Sequence, residues 1–217
     1  DIMKALQKKS GKATYIMPIP ERAVFESGYE NEKDKYNDFT EKLKSSFSDS
    51  SVVLNLLPEL EQHQDEYIYF RTENSWTMRG AFYGAQVFSG ELGYDQENLD
   101  TYREYVFGNF KGNLLLEALG KYTTDETKKG IESMEEEPFY IYINGSNPNR
   151  EELTFENKEG QLQTLKRQTI QFNGSGNYAV IGSSYKRSVV EGSGKGQRKG
   201  NLLLIADTRG KMMISYL

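Results

Sequence analysis

Apolar side chains in the first part of the chain recur with the periods of strands and helices. A period of two, or an apolar run that proline closes, predicts a strand. A period of 3.6 with charges on the opposite face predicts an amphipathic helix. Strands are predicted over residues 12–20, 51–56 and 67–72. Helices are predicted over residues 30–47, 58–66 and 76–89.

This alternation of strands and helices is typical of an α/β fold, in which helices cover the faces of a sheet. Crossover connections of this length favour parallel strands. The pattern is weaker in the remaining chain. There we expect mixed helix and loop over 94–124, a charged helix or a solvated loop over 125–137 and a strand over 139–143. A hairpin or irregular segment is expected over 153–172, a short strand over 178–181 and a surface loop over 192–200. A strongly buried strand is expected over 201–206 and the start of a helix over 209–217.

Length and composition predict a single domain over residues 1–217. The absence of cysteine excludes disulfides, thiol nucleophiles and thiolate metal sites. A formal net charge of −5 argues against a nucleic-acid partner. No apolar run is long enough to span a bilayer and no signal peptide opens the chain. Because the sequence begins without Met, inside an apparent helix, we expect it to be a fragment of a longer protein.

The most informative stretch is residues 67–83, Tyr-Ile-Tyr-Phe-Arg-Thr-Glu-Asn-Ser-Trp-Thr-Met-Arg-Gly-Ala-Phe-Tyr. It resembles the signature of the bacterial DHHW protein family, which reads Tyr-Tyr-Arg-Thr-Asp-His-His-Trp-Thr and shortly afterwards Gly-Ala-Tyr. Residues 202–210, Leu-Leu-Leu-Ile-Ala-Asp-Thr-Arg-Gly, resemble the family's buried strand that ends in Lys-Asp-Ser-Tyr. Residues 177–182 resemble the lead-in to that strand.

The resemblance implies an SGNH-like three-layer α/β/α sandwich with a mainly parallel sheet, related to the alginate-acetylation proteins. In such a site an acid orients a histidine, which takes the proton of a serine at the start of a helix. The helix amides help to hold the oxyanion while an acyl group moves to or from a carbohydrate hydroxyl. The positions that correspond to acid, base and nucleophile in this chain are Glu73, Ser75 and Thr208.

All three of these positions differ from the family pattern. Threonine at 208 keeps a hydroxyl and glutamate at 73 keeps a carboxylate, but serine at 75 removes the base, since a neutral hydroxyl cannot accept the proton. The single histidine, His63, lies ten residues before Glu73 in a polar segment, where a solvated or capping role is favoured over a rescued base. We therefore interpret Glu73, Ser75 and Thr208 as a hydrogen-bonded relic of a triad.

Three functions remain open at this point. The leading hypothesis is a non-catalytic domain at the bacterial cell envelope that binds a surface polysaccharide or an assembly partner. The alternative is a carbohydrate O-acetyltransferase or acetylesterase that uses Thr208 with a non-standard base, and a third is a structural module whose cleft is filled by side chains. We expect binding to involve Arg71, Trp76, Asp207 and Arg209.

No cofactor, metal or nucleic acid is expected to bind this domain. One histidine makes a transition-metal site improbable, and no carboxylates have calcium-loop spacing. The resemblance to the DHHW family implies an extracytoplasmic location, in a secreted or membrane-anchored protein. Any membrane contact would then use a segment that is absent from this chain.

Overall fold

A computed structural model describes most of this chain. The described residues are 5, 8–47, 51–121, 124–144, 150–156, 161–168, 188–191 and 202–217. The predictions for residues 178–181 and 192–200 lie outside them. No helix in the described part of the chain is long and apolar enough to cross a membrane.

The helices carry most of the regular structure in the first half of the described chain. They are α1 (Glu30–Ser46), α2 (Leu57–Gln62), α3 (Met78–Glu91), α4 (Asn113–Lys121), α5 (Asp125–Glu132) and α6 (Thr208–Lys211). Short 3₁₀ turns occupy Arg22–Phe25, Leu99–Thr101 and Met212–Tyr216. Thr77 caps α3 by accepting a hydrogen bond from the Gly80 amide, which explains why the helix begins at Met78.

The strands within the described residues form three small sheets. They are β1 (Thr14–Ile16), β2 (Ser51–Val53), β3 (Tyr102–Phe110), β4 (Glu137–Asn144), β5 (Arg150–Glu156), β6 (Leu162–Gln168) and β7 (Ser188–Glu191). β1 and β2 pair in parallel, with Tyr15 opposite Val52. β3 and β4 pair antiparallel with a bulge between Val106 and Gly108. β5 lies between β6 and β7 in an antiparallel sheet.

The hydrophobic core is centred on α3, which is buried along most of its length. The Trp76 ring lies so close to the α3 backbone that a Cβ on Gly84 would come within 2.6 Å of its Cη2 atom. Only glycine fits beneath the indole at that point, because protein interiors are close-packed. Aromatic side chains of β3, β4 and the C-terminal turn complete the core around Phe82.

Several local predictions are confirmed and others are not. The helices over 30–47, 58–66 and 76–89, the strand over 139–143 and the helix start at 209 correspond to described elements, with ends shifted by a few residues. β3 was not predicted, because its sequence mixes charges with aromatics. Within α1, Phe39 lies three residues after Tyr36 but is 52% exposed, and Tyr36 and Thr40 are the buried residues of that helix.

The predicted strand over 67–72 is wrong. Only an isolated bridge joins Tyr69 to Trp76, because the chain turns back after Phe70. The Phe70 amide donates to the Ser75 carbonyl at 3.1 Å and the Thr77 amide to the Ile68 carbonyl at 2.9 Å. The backbone polar groups are therefore paired within this short reversal instead of in a sheet.

The strongly buried strand predicted over 201–206 is also wrong. Residues 202–207 have no regular secondary structure, and the side chains of Leu202 to Ile205 are 37–80% exposed. Apolar, β-branched composition favours a strand only where neighbouring strands cover it. None of the described strands pairs with this segment.

Candidate functional site

The loop over residues 71–76, here called the motif loop, is anchored by a carboxylate that the sequence did not single out. Glu137, the first residue of β4, is fully buried. Its oxygens accept hydrogen bonds from the Arg71 and Thr72 amides, both at 2.7 Å, and from the Thr72 hydroxyl. The Tyr67 hydroxyl donates to it at 2.6 Å. These donors satisfy the buried charge and fix the path of the loop.

The Glu137 carboxylate affects the pKa of the Tyr67 hydroxyl. Burial raises the pKa of the Tyr67 hydroxyl, and the hydrogen bond to Glu137 raises it further. The phenol is therefore a donor to Glu137 at all physiological pH values. Arg71, whose Nε atom lies 3.8 Å from Glu137, keeps 65% of its side chain exposed.

Glu73, the position of the motif acid, is bound to backbone amides. It is 5% exposed, and its carboxylate accepts hydrogen bonds from the Asn74 amide at 2.9 Å and the Asn113 amide at 2.7 Å. Asn113 begins α4, so the carboxylate satisfies one of the free amides of a helix N-terminus. Gly112 lets the chain approach so closely, because a Cβ there would meet the Thr72 carbonyl at 2.2 Å.

Ser75, the position of the motif base, points into the protein interior. It is 3% exposed, and its hydroxyl donates to the Met212 sulfur at 3.7 Å. Met212 is itself 2% exposed and begins the 3₁₀ turn that follows α6. The motif loop is therefore in contact with the turn that directly follows α6.

A second contact joins the motif loop to α6 itself. The Trp76 indole N–H donates to the Arg209 carbonyl at 2.9 Å, and Trp76 is completely buried. Trp76 was predicted among the binding residues; the structure leaves no indole surface for a ligand, because the ring is enclosed by α3 and α6. Its role in this structure is to hold the motif loop against α6.

Asp207 and Arg209 lie together at the start of α6. Asp207 caps the helix by accepting from the Gly210 amide at 3.0 Å, and it accepts from Arg209 Nε at 3.1 Å. Arg209 Nη1 also donates to Glu21 at 2.7 Å. Burial alone would lower the pKa of Arg209, but the Glu21 and Asp207 carboxylates outweigh it and raise the pKa. Both carboxylates are about half exposed, so this cluster lies at the surface.

Thr208 is the first residue of α6, directly after the cap. A nucleophile in an SGNH-type site would stand at such a helix start, where backbone amides face outward. The placement of its side chain lies outside the described part of the structure. Its role as motif nucleophile therefore stays a prediction.

His63 belongs to a separate polar cluster. Its Nδ1 atom lies 2.7 Å from Glu66 Oε1 and its ring stacks on Tyr83 with centroids 3.6 Å apart. Its Nε2 atom lies 3.5 Å from Glu59. His63 is also the residue that ends α2, where its backbone N–H donates to the Leu60 and Glu61 carbonyls. Within the described residues, no group of three potential metal ligands is found.

The fold and these contacts define the class of protein: an α/β domain in which a buried tryptophan joins a motif loop to a short C-terminal helix. The family model of the DHHW protein matches residues 42–216. The chain belongs to the DHHW protein family. The resemblance recognised in residues 67–83 and 202–210 is thereby confirmed.

Solved structures extend the comparison. The chain is similar to a DHHW family protein from Eubacterium siraeum, with a TM-score of 0.78 and 21% identity over 99% of this chain and 69% of that one. This match confirms the predicted α/β fold class. The chain is more weakly similar to Bacillus cereus PatB1 with a sulfonyl adduct, with a TM-score of 0.49 and 14% identity over 76% of this chain and 53% of that one. The O-acetyltransferase domain of Pseudomonas putida AlgJ is also similar, with a TM-score of 0.46 and 14% identity over 67% of this chain and 54% of that one. No curated protein matches the sequence.

Proposed function

We propose that this chain is a non-catalytic DHHW-family domain that serves as a binding module at the bacterial cell envelope. One observation carries the proposal: serine replaces the base at position 75, and its hydroxyl is turned inward onto the Met212 sulfur. A neutral hydroxyl cannot act as the base that accepts a nucleophile's proton, and this one donates its own hydrogen to a thioether. The only imidazole in the sequence, that of His63, contacts Glu59 and Glu66 instead.

The bonding of Glu73 supports the same proposal. In a triad the carboxylate orients the imidazole and stabilises its positive charge. Here two backbone amides occupy the two oxygens of Glu73, one from the motif loop and one from the start of α4. The carboxylate therefore stabilises the loop and has no base to orient.

The exposed groups around the motif loop supply the binding surface that we propose. Arg71 is 65% exposed and Asp207 is 56% exposed at the side chain, while Arg209 is partly exposed beside Asp207. Such a mixture of guanidinium and carboxylate groups forms hydrogen bonds with the hydroxyls of a surface polysaccharide or with polar groups of an assembly partner. The envelope location rests on the family resemblance.

The alternative, an acyltransferase or acetylesterase that uses Thr208, has one observation in its favour. Thr208 begins α6 directly after the Asp207 cap, as a nucleophile at a helix start would. The first experiment compares the native chain with Thr208→Ala on a chromogenic acetyl ester and an acetylated oligosaccharide. We expect both proteins to remain at the buffer rate. Turnover by the native chain that Thr208→Ala abolishes would overturn the non-catalytic proposal.

The binding part of the proposal needs its own measurement. The native chain and Arg71→Ala are compared on an array of bacterial surface polysaccharides, with Lys44→Ala as a matched surface control on α1. We expect Arg71→Ala to weaken a retained glycan about tenfold, the loss of one charge-assisted hydrogen bond or a little more. Equal binding by all three proteins would contradict a ligand site at the motif loop.

A further inference from the structure

We infer that Met212 occupies the space of the absent base, so that Ser75 and Met212 are a matched pair that closes the former catalytic centre from inside. This inference rests on the proposed non-catalytic function and deepens it. The Ser75 hydroxyl lies 3.7 Å from the Met212 sulfur, and the two residues are 3% and 2% exposed. Methionine is unbranched and flexible, which suits it to fill an irregular gap beside a small residue.

The residues packed around Ser75 and Met212 leave little room for another placement of either side chain. Trp76 follows Ser75 and is fully buried against α3, while Glu73 lies two residues before Ser75 and is held by two amides. Met213 is 1% exposed, and its sulfur lies 3.6 Å from the point where a Cβ on Gly84 would stand. Neither neighbour of Ser75 in the core can move without breaking these contacts. Met212 is thus the side chain that a larger residue at position 75 would displace.

Two consequences follow for the function of the domain. An imidazole placed at position 75 would overpack this region, because close-packed interiors resist added side-chain volume. A ligand of the proposed binding module would not enter the interior between Glu73 and Ser75. It would instead contact the exposed side of the motif loop, where Arg71 lies.

A double-mutant cycle tests the pair without any assay of activity. The variants are Ser75→His, Met212→Ala and the combination, and the thermal unfolding midpoint of each is measured by circular dichroism. We expect Ser75→His alone to lower the Tm by about 2–12 °C, the shift that overpacking by about 1–3 kcal/mol gives in a chain of 217 residues. In the combination we expect the loss to be smaller than the sum of the two single losses by at least about 2 °C.

The matched control is Met213→Ala, which shortens an equally buried methionine whose sulfur faces Gly84. Combined with Ser75→His, it is expected to give additive losses. The inference is overturned if the Ser75→His and Met212→Ala losses add, or if Met213→Ala relieves Ser75→His equally well.

A second substitution covers the case in which Ser75→His does not fold. Ser75→Val adds less volume, and the same cycle is run with it. Failure of the inference is distinguishable from failure of the proposed function. Additive Tm losses refute the Met212 pairing and leave ester turnover untouched, whereas turnover that Thr208→Ala abolishes refutes the non-catalytic proposal.

Discussion

Glu137 and Glu66 differ in the kind of hydrogen-bond donor that each carboxylate has. Glu137 is fully buried, and backbone amides of the motif loop supply two of its donors. Glu66 keeps 31% of its side chain exposed, and its donors are the side chains of His63, Arg79 and Tyr83. Backbone amides cannot titrate or swing away, so the Glu137 contacts hold one loop geometry.

The pKa of Glu66 depends on the side chains that surround it. Burial raises the pKa of Glu66, but hydrogen bonds from His63, Tyr83 and Arg79 outweigh this and lower the pKa. Arg79 continues the cluster to the Tyr142 hydroxyl, whose pKa burial raises to about 12 although the guanidinium opposes the shift. The motif loop is thus held by fixed backbone donors, whereas the Glu66 cluster depends on charges that solvent screens.

The largest expected effect comes from Glu137→Gln. The amide keeps the shape of the side chain but loses an acceptor and places an N–H against buried donors, so we expect a loss of about 3–5 kcal/mol in the free energy of unfolding. Glu136→Gln, an exposed neighbour, is the control and is expected to stay within about 0.5 kcal/mol. Chemical denaturation measures both. Equal stability of the two variants would contradict the conclusion that the Glu137 contacts hold the motif loop.

A pair of glycine substitutions in α3 gives the next largest effect. In Gly84→Ala the new Cβ meets the Trp76 ring at 2.6 Å, and we expect overpacking to cost about 1–3 kcal/mol. In Gly90→Ala the Cβ meets nothing within 4 Å, and we expect a gain of about 0.5–1 kcal/mol from helix propensity. Urea denaturation of both variants checks this. The same sign for both would show that Trp76 is not packed against the helix as described.

The smallest effect is expected for Glu66→Gln, and it depends on pH. Because the folded-state pKa of Glu66 is lowered, its carboxylate stabilises the fold above its ordinary pKa, and this contribution is lost as the pH falls through the lower folded value. We expect a cost below about 1 kcal/mol at pH 7, since the partly exposed group is screened, and a smaller cost at pH 3.5.

Thermal unfolding of Glu66→Gln and the native chain at several pH values measures that difference. Glu41→Gln is the matched control, because Glu41 is 69% exposed and pairs only with Lys44 among its described contacts. We expect its Tm to follow that of the native chain at every pH. A Glu66→Gln deficit that grows as the pH falls would contradict the charge-dependent cluster.

Local patterns predicted the elements whose stabilising contacts lie within the element or on one face of it. The helix over 30–47 and the strand over 139–143 are of this kind, since one face of each is regular in the sequence. The motif over 67–83 led to the correct family, because its order of residue types is specific. The strand expected over 201–206 depended on neighbours that the local sequence does not specify, and it is absent.

The sequence alone determined that no imidazole stands at position 75, because residue identity needs no coordinates. It also determined the family, and with it the α/β fold class. Only the tertiary structure decided that Glu137 holds the motif loop, since its donors lie 65 to 70 residues away along the chain. The contact of Ser75 with Met212, 137 residues apart, is likewise a product of folding. The physical reason is the same for both: a buried polar group takes the partner that packing brings near, and sequence separation does not limit that choice.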